Sequence, residues 1–195
     1  MRIISGIRKG RRLMSPKGNS IRPTADAVRE SLFNLLGQHL EGVRFLDLFG
    51  GSGSVGLEAA SRGAQVTIVD NSPQAASCIE HNITHCKLTE QVDFLPRHAL
   101  AYLRRTNEIF DVIFIDPPYQ SRNLYADVME LVVAHSSLSP DGVLIAEHPL
   151  REAPTAPPGM ELEQCRSYGK KSLSFFVLAE AINAEHPSTT EEPVT

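Results

Sequence analysis

Short apolar runs alternate with amphipathic stretches along most of the chain. Five runs, mostly rich in β-branched and aromatic residues, are typical of strands buried on both faces of a parallel sheet. They cover residues 43–49, 65–69, 91–95, 110–115 and 142–147. Apolar residues at helical spacing predict helices over residues 21–40, 72–86, 99–105 and 124–135, with one more after the glycine-rich loop that follows the first strand. Two alternating runs, 161–168 and 172–179, predict a final antiparallel pair around Gly169-Lys170-Lys171.

This order of elements predicts an α/β fold. We expect a Rossmann-like, doubly wound and mostly parallel sheet of about seven strands, with the last strand antiparallel and helices on both faces. The domain would cover residues 21–181, preceded by a small basic extension, an arm or hairpin over residues 1–20. Residues 182–195 carry acids and prolines but few apolar side chains, a composition typical of a disordered tail.

Composition argues against several classes of protein. Apolar residues make up 42% of the 195 residues, yet no run approaches the roughly 20 apolar residues of a membrane span. No apolar segment follows the N-terminal arginines, so this is not the pattern of a secretory signal. Cys78, Cys86 and Cys165 have neither paired nor metal-type spacing, which indicates reduced thiols in a cytoplasmic protein. The seven histidines, His148 among them, also lack metal spacing, so we expect no metal site and mostly surface histidines.

Charge is divided unevenly along the chain. The net charge is −4, but residues 1–29 carry eight arginines and lysines against Asp26 alone, a local +7 that leaves −11 on the rest. A basic segment ahead of an acidic body is typical of a phosphate-binding arm; a solvated, partly disordered terminus is the alternative. Thr24 would cap a helix whose N-terminus suits an anion, although a plain capped helix fits the pattern equally well. The candidate contacts to a nucleic-acid backbone are Arg8, Lys9, Arg11, Arg12, Arg22, Pro23, Thr24 and Arg29, with Lys170 and Lys171 as the alternative.

A glycine-rich turn follows the first predicted strand. Gly51, Gly53 and Gly56 fit G-x-G-x-x-G, in which small residues allow a tight turn and close approach of a ligand to the backbone. The motif alone is weak evidence, but here a strand precedes it and a helix follows it. Asp70 ends the next strand about 20 residues past the first glycine, the spacing of a carboxylate that binds a ribose; a cap at the strand end is the alternative. Glu58, within the helix, is interpreted as solvated or structural.

The sequence FDVIFIDPPYQ, residues 110–120, combines a buried strand with a rigid corner. Asp116 precedes a proline and is therefore held in extended geometry, and neither Pro117 nor Pro118 has an N–H to continue a ladder. The corner offers a carboxylate, carbonyl oxygens and the ring of Tyr119 at the carboxyl end of a strand. Acceptors beside a stacking surface suit a planar ring that carries an NH₂ group. A plain Pro-Pro turn with Asp116 as a helix N-cap is the alternative.

Together these motifs resemble a known family. The loop DLFGGSGSVGLEAASRGA is similar to the cofactor loop of Rossmann-like S-adenosylmethionine-dependent methyltransferases, and IDPPY is similar to the D/N-P-P-Y/F motif of enzymes that methylate exocyclic amines of nucleobases. With RPTADAVRESLFNLL and the opening RIISGIRKGRRL, the chain resembles the bacterial RsmD-type family, which methylates the N2 amine of a guanine in 16S ribosomal RNA. The resemblance runs from about residue 2 to residue 178 and leaves the tail uncovered.

The resemblance implies an enzyme with S-adenosylmethionine as cofactor and S-adenosylhomocysteine as product. Its partner would be ribosomal RNA, free or within a small ribosomal subunit, and we expect a monomer that does not bind membranes. The DPPY tetrad would be catalytic: its carboxylate and carbonyl would accept hydrogen bonds from the amine while the ring stacks on the base.

The implied cofactor site departs from the family at two positions. Asp70 stands where Glu is frequent, and His98 stands where an acidic or amide residue is frequent. The adenine contact would therefore fall to the backbone of His98 and Ala99. The implied cofactor-binding residues are Asp47, Gly50, Gly51, Gly53, Gly56, Asp70, Asn71, His98 and Ala99.

Three alternatives remain open on the sequence. DPPY also occurs in adenine-N6 and other nucleobase methyltransferases that act on RNA or DNA. A nicotinamide-dependent dehydrogenase would share the glycine loop but would not explain IDPPY or the basic arm. A non-catalytic RNA-binding or assembly factor on the same scaffold is disfavoured by the intact Asp116, Gly53 and Asp70.

Overall fold

The computed structural model describes residues 1–15, 23–118 and 123–179, which form a seven-stranded sheet between two layers of helices. The strands are β1 (Arg44–Leu48), β2 (Gln65–Val69), β3 (Val92–Leu95), β4 (Phe110–Ile115), β5 (Leu138–Pro149), β6 (Met160–Tyr168) and β7 (Lys171–Leu178). The helices are α1 (Pro23–Leu36), α2 (Ser54–Ser61), α3 (Pro73–Cys86), α4 (Ala99–Leu103) and α5 (Asn123–Ala134). Within the described ranges, no helix combines the length and apolar character needed to cross a membrane.

The strand order is β3-β2-β1-β4-β5-β7-β6. Strands β1 to β5 pair in parallel, and β7 runs antiparallel between β5 and β6. The predicted Rossmann-like sheet with one antiparallel strand is confirmed. Successive strands are added to one side of β1 up to β3, and the chain then returns to add β4 and β5 on its other side. The strand order therefore reverses between β1 and β4, and α/β proteins of this kind bind ligands at such a point, outside the carboxyl ends of the strands.

Each face of the sheet has its own apolar core. Helices α1, α2 and α3 cover one face, where Phe33 and Leu57 pack in the same cluster as Phe45. Helices α4 and α5 cover the other face, where Met129 packs in the same cluster as Leu46. Neighbouring residues of β1 are thus buried on opposite sides, which is why the strands read as continuous apolar runs rather than as alternating ones.

Two of the differences between predicted and observed element boundaries have a clear physical reason. Helix α1 begins at Pro23, which suits the first turn of a helix, so Thr24 lies inside the first turn and the predicted N-cap is wrong. Strand β5 begins at Leu138 rather than at residue 142. The added residues pair Leu138 with Phe110 across a register irregularity, the setting in which a strand tolerates a residue such as Pro140 that has no N–H.

His148 is an exception to the mostly surface histidines expected from the sequence, because it is only 1% exposed. Its Nδ1 lies 2.9 Å from the Pro149 carbonyl oxygen and its Nε2 lies 2.8 Å from Ser174 Oγ. A carbonyl can only accept, so Nδ1 carries the proton and Nε2 accepts from the hydroxyl. Burial lowers the pKa of His148, and the ring is a neutral, hydrogen-bonded part of the core.

Residues 1–15 fold back on themselves and dock on the sheet domain. Ile3 N–H donates to the Arg11 carbonyl at 2.9 Å, and Gly10 N–H donates to the Ile3 carbonyl at 2.9 Å. Ile3 and Leu13 are 1% and 7% exposed and belong to the core beneath α1 and α2. The start of the chain is therefore hairpin-like and contributes to the core. Residues 16–20 of the predicted arm and the predicted tail 182–195 lie outside the described residues.

Candidate active site

The carboxyl ends of four parallel strands bring four acidic side chains to one edge of the sheet. Asp47 lies in β1, Asp70 follows β2, Asp116 follows β4 and Glu147 lies near the end of β5. Asp47 pairs in register with Phe114 of β4, so Asp116, two residues further, lies just beyond it on the same face. The sequence-predicted Asp47, Asp70 and Asp116 are thus gathered at the crevice where the strand order reverses.

The glycine loop joins β1 to α2 beside these carboxylates. Gly50 and Gly51 lie in the turn, and Gly53 N–H donates to the Gly50 carbonyl at 2.7 Å. Gly53 caps α2 with a φ of 75°, a left-handed conformation that favours glycine. A Cβ at Gly56 would lie 2.8 Å from Ile68, so only glycine lets α2 pack this closely on β2.

Asp47 and Asp70 hold this loop in place. Asp47 Oδ2 accepts a hydrogen bond from Gly56 N–H at 2.9 Å. Asp70 Oδ2 accepts from Gly51 N–H at 2.9 Å, and its Oδ1 accepts from Ser72 N–H at 2.8 Å. Asp70 therefore performs the capping role considered as the alternative, but an ionised carboxylate has about four acceptor sites. It retains capacity for ribose hydroxyls.

Burial sets the electrostatics of Asp47. The side chain is 2% exposed, and burial raises its pKa to about 7, opposed by the Gly56 N–H and reinforced by the charges of Asp70 and Asp116. A buried carboxylate with two more nearby favours a cationic ligand over an anionic one. The positively charged sulfonium and ammonium groups of S-adenosylmethionine fit this requirement, whereas the phosphates of a dinucleotide do not.

Asp116 directly follows β4 in a corner that is partly open to solvent. Its side chain is 36% exposed, Pro117 is buried and Pro118 is exposed. Lys171 Nζ lies 3.8 Å from Asp116 Oδ2 and also forms an ion pair with Glu147 Oε1. Burial raises the pKa of Asp116, and the Lys171 ammonium offsets only part of this rise. Tyr119, the predicted stacking residue, lies outside the described residues.

The residues predicted at the adenine and ribose end lie along the same edge. Val69 of β2 pairs with Leu95 of β3, so the turns after these two strands are neighbours. His98 caps α4 through its carbonyl, which accepts from Tyr102 N–H at 3.0 Å. The His98 side chain is exposed and Ala99 is buried. Asn71 is exposed beside Asp70.

Most basic residues of the hairpin-like segment face solvent, and two of them contact the C-terminal end of α3. Lys9, Arg11 and Arg12 are exposed. Arg8 Nη2 donates to the Lys87 carbonyl at 2.9 Å, and Arg11 Nη1 donates to the His85 carbonyl at 3.4 Å. Carbonyls at a helix C-terminus favour such cations. The structure therefore places these charges on a fixed surface.

Not every predicted phosphate contact is on that surface. Arg29 is 3% exposed; its Nη2 donates to the Arg2 carbonyl at 2.6 Å and its Nε lies 3.9 Å from Glu58 Oε2. A guanidinium buried in this way is not available to a phosphate, so the predicted nucleic-acid contact of Arg29 is wrong. Arg22 lies outside the described residues.

Three side chains have contacts that the sequence does not specify, although a structural role for Glu58 is one of its two predicted alternatives. The sequence pattern places Lys171 in a turn and makes it an alternative RNA contact, but in the structure it opens β7 and engages two carboxylates. Its signal was available: the first residue of an antiparallel strand lies at the carboxyl edge of its parallel neighbours. Neither Glu147 nor Glu58 belongs to a recognisable motif. Glu147 lies at the end of a buried strand, and Glu58 is the acid among the small and apolar residues of α2.

Comparison with known proteins agrees with this architecture. The solved structure of yhhF from Escherichia coli superposes with a TM-score of 0.81 at 26% identity, covering 91% of this chain and 97% of that chain. YlbH of Bacillus subtilis (strain 168) is 36% identical over 181 residues, 90% of this chain and 98% of YlbH. The ribosomal RNA small subunit methyltransferase D of Haemophilus influenzae is 34% identical over 151 residues, 75% of this chain and 78% of that protein.

The fold, the strand-end site and these relatives define the class of the protein as a Rossmann-like methyltransferase. The model of the family described as conserved hypothetical protein 95 matches residues 1–177. The chain belongs to this family, which contains the RsmD-type ribosomal RNA methyltransferases.

Proposed function

We propose that the protein transfers a methyl group from S-adenosylmethionine to the exocyclic N2 amine of a guanine in 16S ribosomal RNA. The observation that carries this proposal is the position of Asp116. Its carboxylate stands at the open end of β4, two residues past the partner of Asp47 in the strand register, at the edge of the sheet where the glycine loop lies.

The cofactor would bind across the ends of β1, β2 and β3. Asp70 would accept hydrogen bonds from the ribose hydroxyls while it holds Gly51 N–H, and the loop backbone would approach the methionine portion. The backbone at His98 and Ala99 would border the adenine. When bound, the cofactor supplies a methyl group made electrophilic by the sulfonium.

Asp116 would activate the substrate amine. The lone pair of guanine N2 is delocalised into the ring, so acceptors aimed at its N–H bonds favour a pyramidal nitrogen with a free lone pair. The Asp116 carboxylate and the Pro117 carbonyl are the acceptors at the corner, and the negative charge also stabilises positive charge developing on the nitrogen. The N–C bond forms as the C–S bond breaks, and the nitrogen then releases a proton. A carboxylate with a raised pKa is suited to receive it.

The RNA would be held by the exposed basic side chains of residues 1–15. The body of the protein is acidic and repels a polyanion, so binding needs a local surface of opposite sign. The anchoring of Arg8 and Arg11 on α3 supports this role because the charges are already ordered before RNA binds. The target guanine must leave any stack to reach Asp116.

The direct test is methylation of 16S ribosomal RNA and of small ribosomal subunits with labelled S-adenosylmethionine, followed by mass spectrometry of the nucleosides. We expect N2-methylguanosine. If the labelled product is N6-methyladenosine instead, the substrate base is adenine rather than guanine. Absence of label from both RNA and subunits would overturn the proposal.

The first prediction concerns Asp116→Ala. Methyl transfer should fall by about 10²–10³-fold, the usual loss for one preorganised electrostatic group, while affinity for S-adenosylhomocysteine stays close to that of the wild type. Asp116→Asn, which keeps an acceptor but not the charge, should lie between the two rates. Asp141→Ala, at an exposed position at the other end of the sheet, is the matched control. Wild-type turnover by Asp116→Ala would remove Asp116 from the mechanism.

A further inference from the structure

Lys171 lies at the candidate active site because β7 runs against its neighbours. It is the first residue of β7 and pairs with Pro149 at the end of β5. Its ammonium group therefore reaches the carboxyl edge of the parallel strands. There it forms an ion pair with Glu147 and lies 3.8 Å from Asp116 Oδ2.

The three side chains have graded access to solvent. Glu147 is 11% exposed, Lys171 is 17% exposed and Asp116 is 36% exposed. A carboxylate as buried as Glu147 requires a partner, and Lys171 provides it. Since the Lys171 ammonium also faces Asp116, the charges of the Glu147–Lys171 pair act on the Asp116 carboxylate.

We propose that Lys171 is a positioning residue for methyl transfer, which holds the Asp116 carboxylate in place and in its charged form through a Glu147–Lys171–Asp116 ion-pair chain. The inference rests on the proposed function, because it assumes that Asp116 accepts hydrogen bonds from the substrate amine.

The charges around Asp116 support this role. Among the described residues, Lys171 faces it from β7, Glu147 lies behind Lys171 on β5, and Asp47 lies on β1. Burial raises the pKa of Asp116 and Lys171 is the group that lowers it. Without the ammonium, burial and repulsion between Asp116 and Glu147 would both favour the protonated form. A protonated Asp116 loses the charge that stabilises the developing cation.

The two simpler roles for Lys171 make different predictions. A purely structural lysine would stabilise β7 against β5, and its loss would reduce activity equally at every pH. A lysine that contacts an RNA phosphate would change the salt dependence of RNA binding, but here the ammonium is engaged with two carboxylates beneath the surface. Only the positioning role links Lys171 to the protonation of Asp116.

The second prediction is therefore a pH profile. We would measure kcat for methyl transfer at saturating S-adenosylmethionine and RNA from about pH 5 to pH 9, where the acidic limb reports the essential base of the enzyme–substrate complex. In Lys171→Met the limb should move to higher pH by about one unit or more, equivalent to a tenfold or greater rise in proton affinity. Activity should recover on the high-pH plateau. Lys171→Arg should restore the wild-type limb.

A second substitution separates repulsion from loss of structure. Adding Glu147→Gln to Lys171→Met removes the like charge next to Asp116, so the limb should return part of the way towards the wild type. Glu147→Gln alone keeps the ion pair between Lys171 and Asp116, so the acidic limb of this variant should not move to higher pH. A limb that stays at the wild-type position in Lys171→Met, or a uniform loss at all pH values, would overturn the inference.

A readout independent of turnover completes the test. In the complex with S-adenosylhomocysteine, the carboxyl carbon of labelled Asp116 can be titrated by NMR, and its midpoint should rise in Lys171→Met. If Asp116→Ala is inactive while this midpoint does not move, the Lys171 inference fails and the proposed function stands. If Asp116→Ala retains wild-type activity, or the wild type transfers no methyl group, the proposed function itself fails.

Discussion

Asp47 and Asp70 end neighbouring strands but meet different environments. Asp70 accepts two backbone N–H groups in a partly exposed turn, whereas Asp47 accepts one, from Gly56, and is 2% exposed. Burial then dominates at Asp47 and raises its pKa to about 7. Near neutral pH this residue can be neutral in the free protein and become charged when a cation binds next to it.

The third prediction follows from that raised pKa. The folded protein binds the Asp47 proton more tightly than the unfolded chain does, so stability from this group is present below the ordinary pKa of 3.8 and is lost as pH rises towards about 7. Asp47→Asn can still accept from Gly56 N–H and has nothing to titrate. Its stability relative to the wild type should therefore increase between about pH 4 and pH 7, by at most roughly 4 kcal/mol.

Urea unfolding of both proteins at several pH values measures this difference directly, since contributions from groups that do not interact with Asp47 cancel. A stability difference that does not change with pH would mean that Asp47 is ionised throughout this range in the folded protein. Asp93→Asn, exposed on β3, should show no such trend.

Single residues also show how far the sequence could locate the site. Asp47, Asp70 and Asp116 could be predicted because each lies near or just after the end of an apolar run, and parallel strands bring their carboxyl ends together. Lys171 could be placed only with the strand order, because its contact with Asp116 crosses β5 to reach β4. Its ion-pair partner Glu147 lies 24 positions earlier, and no local spacing connects them.

At the scale of elements, α2 joins the N-terminal segment to the sheet. Glu58 of α2 is 0% exposed and its carboxylate accepts from Ile4 N–H at 2.7 Å and Ser5 N–H at 2.9 Å. The same carboxylate pairs with Arg62 at 2.9 Å, and Arg29 of α1 lies beside it. One buried acid thus links three parts of the chain that are distant in sequence.

The fourth prediction tests that link. Glu58→Gln leaves two nearly buried guanidinium groups without their carboxylate, and breaking a buried charge pair from one side typically costs about 3–5 kcal/mol. Urea unfolding should show a loss of this size. Glu80→Gln, on the exposed face of α3, should change stability by less than about 0.5 kcal/mol. A loss at Glu58 no larger than that at Glu80 would contradict the role of Glu58 as the buried link.

Elements were predicted most accurately where their hydrophobic pattern was strong. The bounds of β2 and β4 agree with the sequence-based ranges to the residue. The start of β5 could not be predicted, because Pro140 and Gly142 are normally turn residues and only the irregular pairing with β4 lets the strand include them. The sequence leaves Glu58 as either solvated or structural, because helix periodicity does not show what packs above α2. The segment that covers α2 lies 50 or more positions earlier, and its contacts show that Glu58 is structural.

At the scale of the whole molecule, the basic N-terminal segment and the acidic body form one folded unit. Ile3 and Leu13 are core residues, so deleting the segment would uncover apolar surface as well as remove charge. An experiment on RNA binding must therefore change exposed charges and leave the packing intact. Lys9 and Arg12 are exposed, and no described hydrogen bond of their side chains to the body would be lost.

The fifth prediction is that these charges determine the salt dependence of RNA binding. Each phosphate contact contributes about −0.7 to −0.9 to the slope of log affinity against log salt. Lys9→Gln with Arg12→Gln should therefore flatten the slope by about 1.4 to 1.8 if both side chains contact phosphates. Affinity for S-adenosylhomocysteine should not change, because Asp47, Gly53 and Asp70 are untouched.

The control removes the same charge from the other side of the sheet. Arg104 and Arg105 are exposed directly after α4, which packs in the core opposite to the one that contains Ile3 and Leu13. Arg104→Gln with Arg105→Gln lowers the net charge by the same amount, so it reports the effect of overall charge alone. Filter-binding titrations at several salt concentrations should give this control the slope of the wild type. Equal flattening in both pairs would show that RNA responds to net charge, and an unchanged slope in the Lys9 and Arg12 pair would place the RNA contact elsewhere.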